Sequence, residues 1–413
     1  MPKTIALAGT LDSKGKEFLY AKELIESLGF NTLTINTGVF APAFEADISS
    51  KEVAAAAGKD IDELSAKKDR AKATAALAKG MENVLPELYE QGKFDGVLSF
   101  GGSGGTSMVT PAMRALPIGV PKVMVSTLAS GNTQPYVGTS DIVMMPSIVD
   151  VAGLNVISTN IFRNAVFAIC GMLGYKDKAK ADTETHQKPL IAASMFGLTT
   201  PCINEAKRYL EERGYEVLVF HATGIGGQTM ENLVASGYFA GVLDLTTTEW
   251  ADELMGGVLN AGPHRLDAAA QNGVPQVVSV GAMDMVNFGP YDSVPETFAG
   301  RNFYKHNPTV TLMRTTKDEN RQIGEVVAEK LNQTTGHTTL MLPLKGLSGL
   351  DVDGQAFYGT EEDQMLFDTI KERIDTQKVD IVEMNVDIND VTFAEAAAEK
   401  LIQLIERTKT EGK

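Results

Sequence analysis

Cysteine is scarce in this chain of 413 residues: Cys170 and Cys202 are the only two, in no CxxC spacing. That excludes a disulfide framework and a cysteine-built zinc site, and it fits buried free thiols in a reducing compartment. The five histidines, at 186, 221, 264, 306 and 337, show neither HxH nor HxxxH spacing, so a histidine zinc site has little support. Positive charge is outnumbered, 37 Lys and Arg against 53 Asp and Glu, for a formal net charge of −16. Such a balance works against long-range attraction to nucleic acid or to an anionic membrane. The opening MPKTIALAGT has one Lys and a short apolar stretch, too little for a signal core or a membrane span. The expected location is the cytoplasm. Also missing are a Walker A ending, the dinucleotide spacing GxGxxG and a GxSxG elbow.

What is there is an alternation of strand and helix patterns. KTIALAG is a short apolar run, helical spacing follows at Phe18, Ala21, Leu24, Ile25 and Leu28, Gly29 closes it, and NTLTIN is the next strand. An alanine-rich helix over about 66–91 leads to FDGVLSF. A helix is expected from about Asn160 to Leu173, its apolar positions nearly surrounding it and so buried. The polar stretch GYKDKAKADTETHQKP reads as a linker. The grammar then repeats: LGFNTLTINTG against RGYEVLVFHATG, FDGVLSF against FAGVLDL, GVPKVMVS against GVPQVVSV, IVMMPSIVDVAGLN against LMLPLKGLSGLD. Ordered similarities of this kind indicate an internal duplication. The expectation is an α/β protein of two tandem Rossmann-like subdomains with mainly parallel sheets, 1–185 and 186–413, the copies differing most in 41–85. Ligands of such sheets collect at the carboxyl ends of strands, and two lobes add a cleft between them.

The most telling stretch is FGGSGGTS, between the strand FDGVLSF and the helical MVTPAMRAL. Gly101, Gly102, Gly104 and Gly105 let backbone amides approach a ligand, Ser103 and Thr106 add hydroxyls, and the helix start adds partial positive charge, so loop 100–107 suits a phosphate. A tight turn with no ligand is the plainer alternative. Loop GTLDSKGKE places Gly9, Thr10, Asp12, Ser13 and Lys14 at another strand end, a hydroxyl, a candidate magnesium ligand and a cation in one turn. Simple capping by Asp12 or Ser13 is the alternative there. Ser130 and Gly131 in STLASGNT, and Gly138 and Asp141 in VGTSD, complete four polar loops that could converge on one edge.

The second half has different loops: HATGIGGQTME, DLTTTEWADE and VGAMDMVNFGP. His221, Gly226, Gly227, Asp244, Thr246, Thr247, Glu249 and Asp284 form a candidate polar site for a small molecule, with His221 and Asp244 as candidate catalytic bases. The competing reading is helix capping alone.

AGTLDSKGKEFLYAKELI, SFGGSGGT, GTSDIVMMPSIVDVAGLN, HATGIGGQTME and LDLTTTEWADEL together resemble the UPF0261 family, bacterial relatives of the N-terminal ATP-binding domain of the plant resistance protein Tm-1. The resemblance implies two Rossmann-like subdomains, ATP and magnesium as ligands, a homodimer, and ATP contacts on the 9–14 and 101–106 loops. It brings no established reaction. Of the paired acidic residues common after the family's DxK element, only Glu17 is retained here. Three readings follow: an ATP-binding protein, with magnesium-dependent chemistry on a small polar metabolite in the inter-lobe cleft; a nucleotide-sensing interaction module without turnover; or a sugar or sugar-acid enzyme of isomerase or aldolase type that does not use ATP.

Overall fold

The computed structural model describes residues 2–66, 69–183 and 188–411 and divides into two compact units, Met1–His186 and Gln187–Lys413. The expected boundary at 185/186 lies outside the described residues.

Unit 1 contains β1 (Thr4–Gly9), α1 (Gly15–Ser27), β2 (Asn31–Asn36), α2 (Ser50–Ala56), α3 (Ile61–Ala66), α4 (Arg70–Glu90), β3 (Gly96–Gly101), α5 (Ser103–Arg114), β4 (Lys122–Ser126), α6 (Gln134–Val137), β5 (Val143–Pro146) and α7 (Val156–Thr183). Its five strands are all parallel, in the order β2-β1-β3-β4-β5. Strand periodicity sends Ile5 and Leu7 to the face covered by α1 and α7, and Ala6 and Ala8 to the face covered by α2, α4 and α5. Both faces are therefore buried, which is why these strands read as continuous apolar runs. Phe18, Phe100 and Phe162 form an edge-to-face chain, with centroids 5.3 and 4.9 Å apart, that ties α1 and α7 to β3. Burial of each ring contributes roughly 1.5–3 kcal/mol.

Two expectations change here. The helix expected at 160–173 runs from Val156 to Thr183, through Gly174, so ten residues of the expected linker, 174–183, are helical and its residues 184–187 lie outside the described ones. It is also buried on one side only: Phe162, Ala165, Val166 and Ile169 pack on the sheet, whereas Val156, Phe167 and Tyr175 are exposed. Among the described residues, Val156–Tyr175 is the one stretch long and apolar enough to cross a membrane by length and composition.

Unit 2 contains β6 (Leu190–Met195), α8 (Thr200–Glu212), β7 (Glu216–His221), α9 (Ile225–Ala235), β8 (Gly241–Thr246), α10 (Glu249–Met255), α11 (Asp267–Gln271), β9 (Gln276–Gly281), β10 (Met285–Phe288), β11 (Phe303–Asn307), β12 (Val310–Arg314), α12 (Lys317–Leu331), β13 (Thr338–Pro343), α13 (Thr360–Arg373), β14 (Val379–Met384) and α14 (Val391–Glu411). Its main sheet is again parallel, in the order β7-β6-β8-β9-β13-β14. The first five positions repeat the strand order of unit 1, and each repeated sequence signature falls on a matching strand. Insertions are not confined to 41–85, however. Unit 2 carries its own, the antiparallel sheet β10-β12-β11 and the long β13–α13 connection.

Candidate functional site

In unit 1 the connections leave β1 and β3 toward opposite sides of the sheet, so the crevice at their carboxyl ends is the topological switch point. A cavity of about 830 Å³ lies there, lined by Thr10, Asp12, Ser13 and Lys14 after β1 and by Gly102, Ser103, Gly104 and Gly105 after β3. That volume is in the range of small-molecule sites.

The glycine-rich stretch is not the loop expected. α5 begins at Ser103, so Ser103, Gly104 and Gly105 form its first turn and Gly102 is the cap. Gly101 explains the composition, because a Cβ there would come within 3.0 Å of the Gly105 backbone. The strand end and the helix start touch, and a side chain at 101 would have to push the Gly105 backbone aside. First-turn amides have no acceptor within the helix, and Gly102 has no side chain to supply one, so the helix start that lines the cavity carries unpaired donors together with the positive end of the helix dipole. Thr106 points elsewhere: its hydroxyl bonds the Gly102 carbonyl at 2.8 Å and Ser126 at 2.7 Å, buried beneath the turn.

The loop after β1 is a compact turn. The amide of Lys14 donates to the Thr10 carbonyl at 2.9 Å, and Ser13 Oγ to Thr10 Oγ1 at 3.0 Å. α1 starts at Gly15 without any side-chain cap, so neither Asp12 nor Ser13 serves as one. Asp12 instead accepts the amides of Val39 and Phe40 through Oδ2, each at 3.0 Å, which pins the chain after β2 to the cavity wall. The Lys14 ammonium donates to the Val151 carbonyl, and buried Glu17 accepts the Gly153 amide. Gly9 is pressed against the Phe18 ring and acts in packing.

Sequence reasoning missed several lining residues. Thr37 is fully buried, lines the cavity, and its hydroxyl has no hydrogen-bond partner. Leu64, Ser65, Asp69, Ala73 and Thr74 come from the 41–85 insertion, and Met108, Thr127 and Asp150 from beyond β3, β4 and β5. A Thr-Gly at the end of β2 is the one signal that could have pointed to Thr37.

The other expected loops do not reach the cavity. Ser130 and Gly131 are exposed beyond β4 and do not line it. Gly138 closes α6 with φ +52°. Asp141 sits at the amino edge of the sheet, where it takes the buried Lys122 ammonium at 2.6 Å and the Gly119 amide at 2.7 Å. Partial burial opposes its ionisation, but these donors outweigh that and hold it below the usual carboxylate range.

In unit 2 the expected polar site is replaced by a buried ion network. Arg265 is fully buried, with Nη2 2.6 Å from Asp244 Oδ1 and Nη1 on Asp244 Oδ2, and Nε 2.6 Å from Glu249 Oε2. Glu231 completes the set at 3.1 Å. Burial pushes Glu231 and Glu249 up from their ordinary values, and the guanidinium opposes this. Asp244 therefore has both oxygens on Arg265 and presents no free base. Glu249 Oε1 accepts the amides of Gly224 at 2.8 Å and Gly227 at 3.2 Å, so a carboxylate of the chain itself already occupies the start of α9. A Cβ on Gly227 would lie 2.3 Å from that carboxylate. Thr246 bonds Thr199 at 2.7 Å and Thr247 the Ser279 carbonyl at 2.7 Å, both buried. Asp284 is buried beside Arg314, accepts from Ser348 at 2.8 Å, and is pushed up to about 6 by burial. His221 stands apart, exposed at the end of the edge strand β7.

Among the described residues no group of three or more His, Cys, Asp or Glu is arranged to hold a metal alone. Magnesium commonly takes one or two carboxylates and completes its shell with phosphate oxygens and water. The described lining of unit 1 fits that pattern: carboxylates, first-turn amides, the Lys14 ammonium and an unpartnered buried hydroxyl.

Family models match both halves: the uncharacterised protein family UPF0261 N-terminal domain over 3–178 and its C-terminal domain over 188–405. A UPF0261 protein of Clostridium tetani is 55% identical over 98% of this chain and 100% of its own. The ToMV resistance protein Tm-1(GCR237) of Solanum lycopersicum is 42% identical over 82% of this chain and 45% of its own. Among solved structures, UDP-N-acetylglucosamine 2-epimerase from Rickettsia bellii aligns with 98% of this chain and 96% of its own at 10% identity, with a TM-score of 0.22.

Proposed function

This chain belongs to the UPF0261 family, and we propose that its first unit binds a nucleotide, ATP, with the phosphates on the first turn of α5 and on the Thr10–Lys14 turn. The observation that carries this is the cavity at the β1/β3 switch point, where unpaired first-turn amides, Lys14 and the unpartnered Thr37 hydroxyl meet. A helix start favours an anion through its dipole and free N–H groups. The apolar Leu64, Ala73 and Met108 give the same cavity a wall against which a base can rest.

Magnesium, when bound, would neutralise phosphate charge; the lining carboxylates are Asp12, Asp69 and Asp150. The chain's part is to hold and orient the phosphates.

The test is calorimetric titration with ATP and magnesium, alongside thermal denaturation and an assay for ADP. One saturating site per chain is expected, with about 1.4 kcal/mol of added stability at ten times the dissociation constant. No heat and no stabilisation at millimolar ATP would sink the reading.

A further inference from the structure

Among the described residues, three carboxylates line the unit 1 cavity, Asp12, Asp69 and Asp150, together with one cationic side chain, Lys14. Two of the three carboxylates are committed to the chain. Asp12 clamps the amides of Val39 and Phe40, and Asp69 caps α4, taking the Lys72 amide at 3.1 Å and its ammonium at 3.0 Å.

Asp150 is different. Among the described residues no hydrogen bond or ion pair reaches its carboxylate, yet the backbone on either side is fastened. Ser147 Oγ donates to the Val149 carbonyl at 2.6 Å, the Lys14 ammonium to the Val151 carbonyl, the Gly153 amide to Glu17, and Ser158 Oγ to the Gly153 carbonyl at 3.1 Å. Two residues upstream, Ile148 turns the chain with φ +64°, its side chain exposed. The segment thus presents one exposed carboxylate, with no partner among the described residues, at the cavity wall. The Thr37 hydroxyl, buried in the same cavity and without a partner, independently marks the space as one made for a ligand.

We propose that Asp150, rather than Asp12, is the carboxylate that takes the divalent cation accompanying a bound polyphosphate in unit 1. The inference rests on the nucleotide reading above. The physical logic is that Asp150 repels bare phosphate and attracts metal-bound phosphate, so it makes binding depend on the metal. One carboxylate suffices, because magnesium completes its octahedron with phosphate oxygens and water.

The experiment is titration of the full chain with ATP in excess EDTA and again in excess magnesium chloride, for wild type, Asp150→Asn, Asp150→Glu and Asp12→Asn. Wild type is expected to bind at least tenfold tighter with magnesium. In Asp150→Asn the magnesium gain falls below twofold, affinity in EDTA is equal to wild type or tighter, and the melting temperature is unchanged because no internal bond is lost. Asp150→Glu restores part of the gain. Asp12→Asn keeps the gain and melts earlier, since it loses the clamp on Val39 and Phe40. Full magnesium gain in Asp150→Asn, or its loss in a folded Asp12→Asn alone, overturns the assignment. Magnesium-independent ATP binding by wild type also overturns it while leaving the nucleotide reading intact. No ATP binding under either condition ends both.

Discussion

Units 1 and 2 share a strand order through five positions, yet they treat the carboxyl edge of their sheets in opposite ways. In unit 1 the start of α5 is left open on a cavity. In unit 2 the chain supplies its own occupants. Glu249 fills the start of α9, Asn389 accepts the Cys202 amide at the start of α8 at 3.3 Å, and the β13–α13 connection packs over the edge. There the Gly349 amide donates to the Leu198 carbonyl at 3.0 Å and Leu350 joins Phe196 and Leu198 in an apolar cluster. Topology places a crevice in both units. Whether it remains a site is decided by what the connections put into it.

The filling of unit 2 has an energetic signature, and the largest effect should come from attacking it. Arg265→Met removes the only guanidinium from among Asp244, Glu249 and Glu231 and leaves buried carboxylates uncompensated, at a cost of about 3–5 kcal/mol. The single tryptophan, Trp250, is buried in unit 2, so its fluorescence during urea unfolding reports this unit. ATP affinity of the variant should stay within twofold of wild type. A loss of ATP binding at full stability would reverse the comparison and make Arg265 part of a ligand site.

The next effect is a pH dependence of opposite sign in the two units. Burial pushes Asp252 up to about 7 and Asp284 up to about 6. A carboxyl raised in the folded state binds protons that the unfolded chain has already released, so stability is fully present below pH 4 and is lost as pH rises through 6 and 7. Trp250-monitored stability should fall on the order of 4 kcal/mol between pH 5 and 8. In unit 1, Asp141 is held low, so its contribution is present above pH 4 and lost below it. Hydrogen exchange resolved by segment, compared at pH 5 and 8, separates the two. Equal slopes in both units would remove the distinction.

The strands were legible because parallel strands buried on both faces are short unbroken apolar runs, and because the signatures recur in order. The two loops that frame the cavity were legible for the same reason: they follow β1 and β3. Its distant walls were not. Thr37, Asp69 and Asp150 become neighbours only through the topology, and no local pattern marks that. The glycines of 100–107 read as an open loop because they leave the backbone free to approach a ligand, but α5 begins at Ser103, and the closeness of Gly101 to Gly105 accounts for part of that composition. In unit 2, Asp244 and Glu249 looked like site residues because polar groups at strand ends are the same whether they await a ligand or an arginine. Arg265 lies in a stretch, GPHRLD, with no motif of its own, and it decides between the two.

The smallest effect is also the sharpest test, because it asks unit 1 to imitate unit 2. Gly102 caps α5 with φ −83° and ψ −159°, a backbone conformation open to any residue, and a Cβ there would find its nearest neighbour at 3.7 Å. Gly102→Asp would place a carboxylate where it can accept the first-turn amides, as Glu249 does in unit 2. Replacing a glycine cap by aspartate should stabilise the fold by only a few tenths of a kcal/mol. The same carboxylate competes for the donors offered to phosphate and repels it, so ATP affinity should drop about tenfold, or about 1.4 kcal/mol. A slight gain in melting temperature together with a loss of affinity is expected. If stability rises and affinity is untouched, the amides of α5 do not hold the phosphates, and the open crevice of unit 1 serves some other ligand.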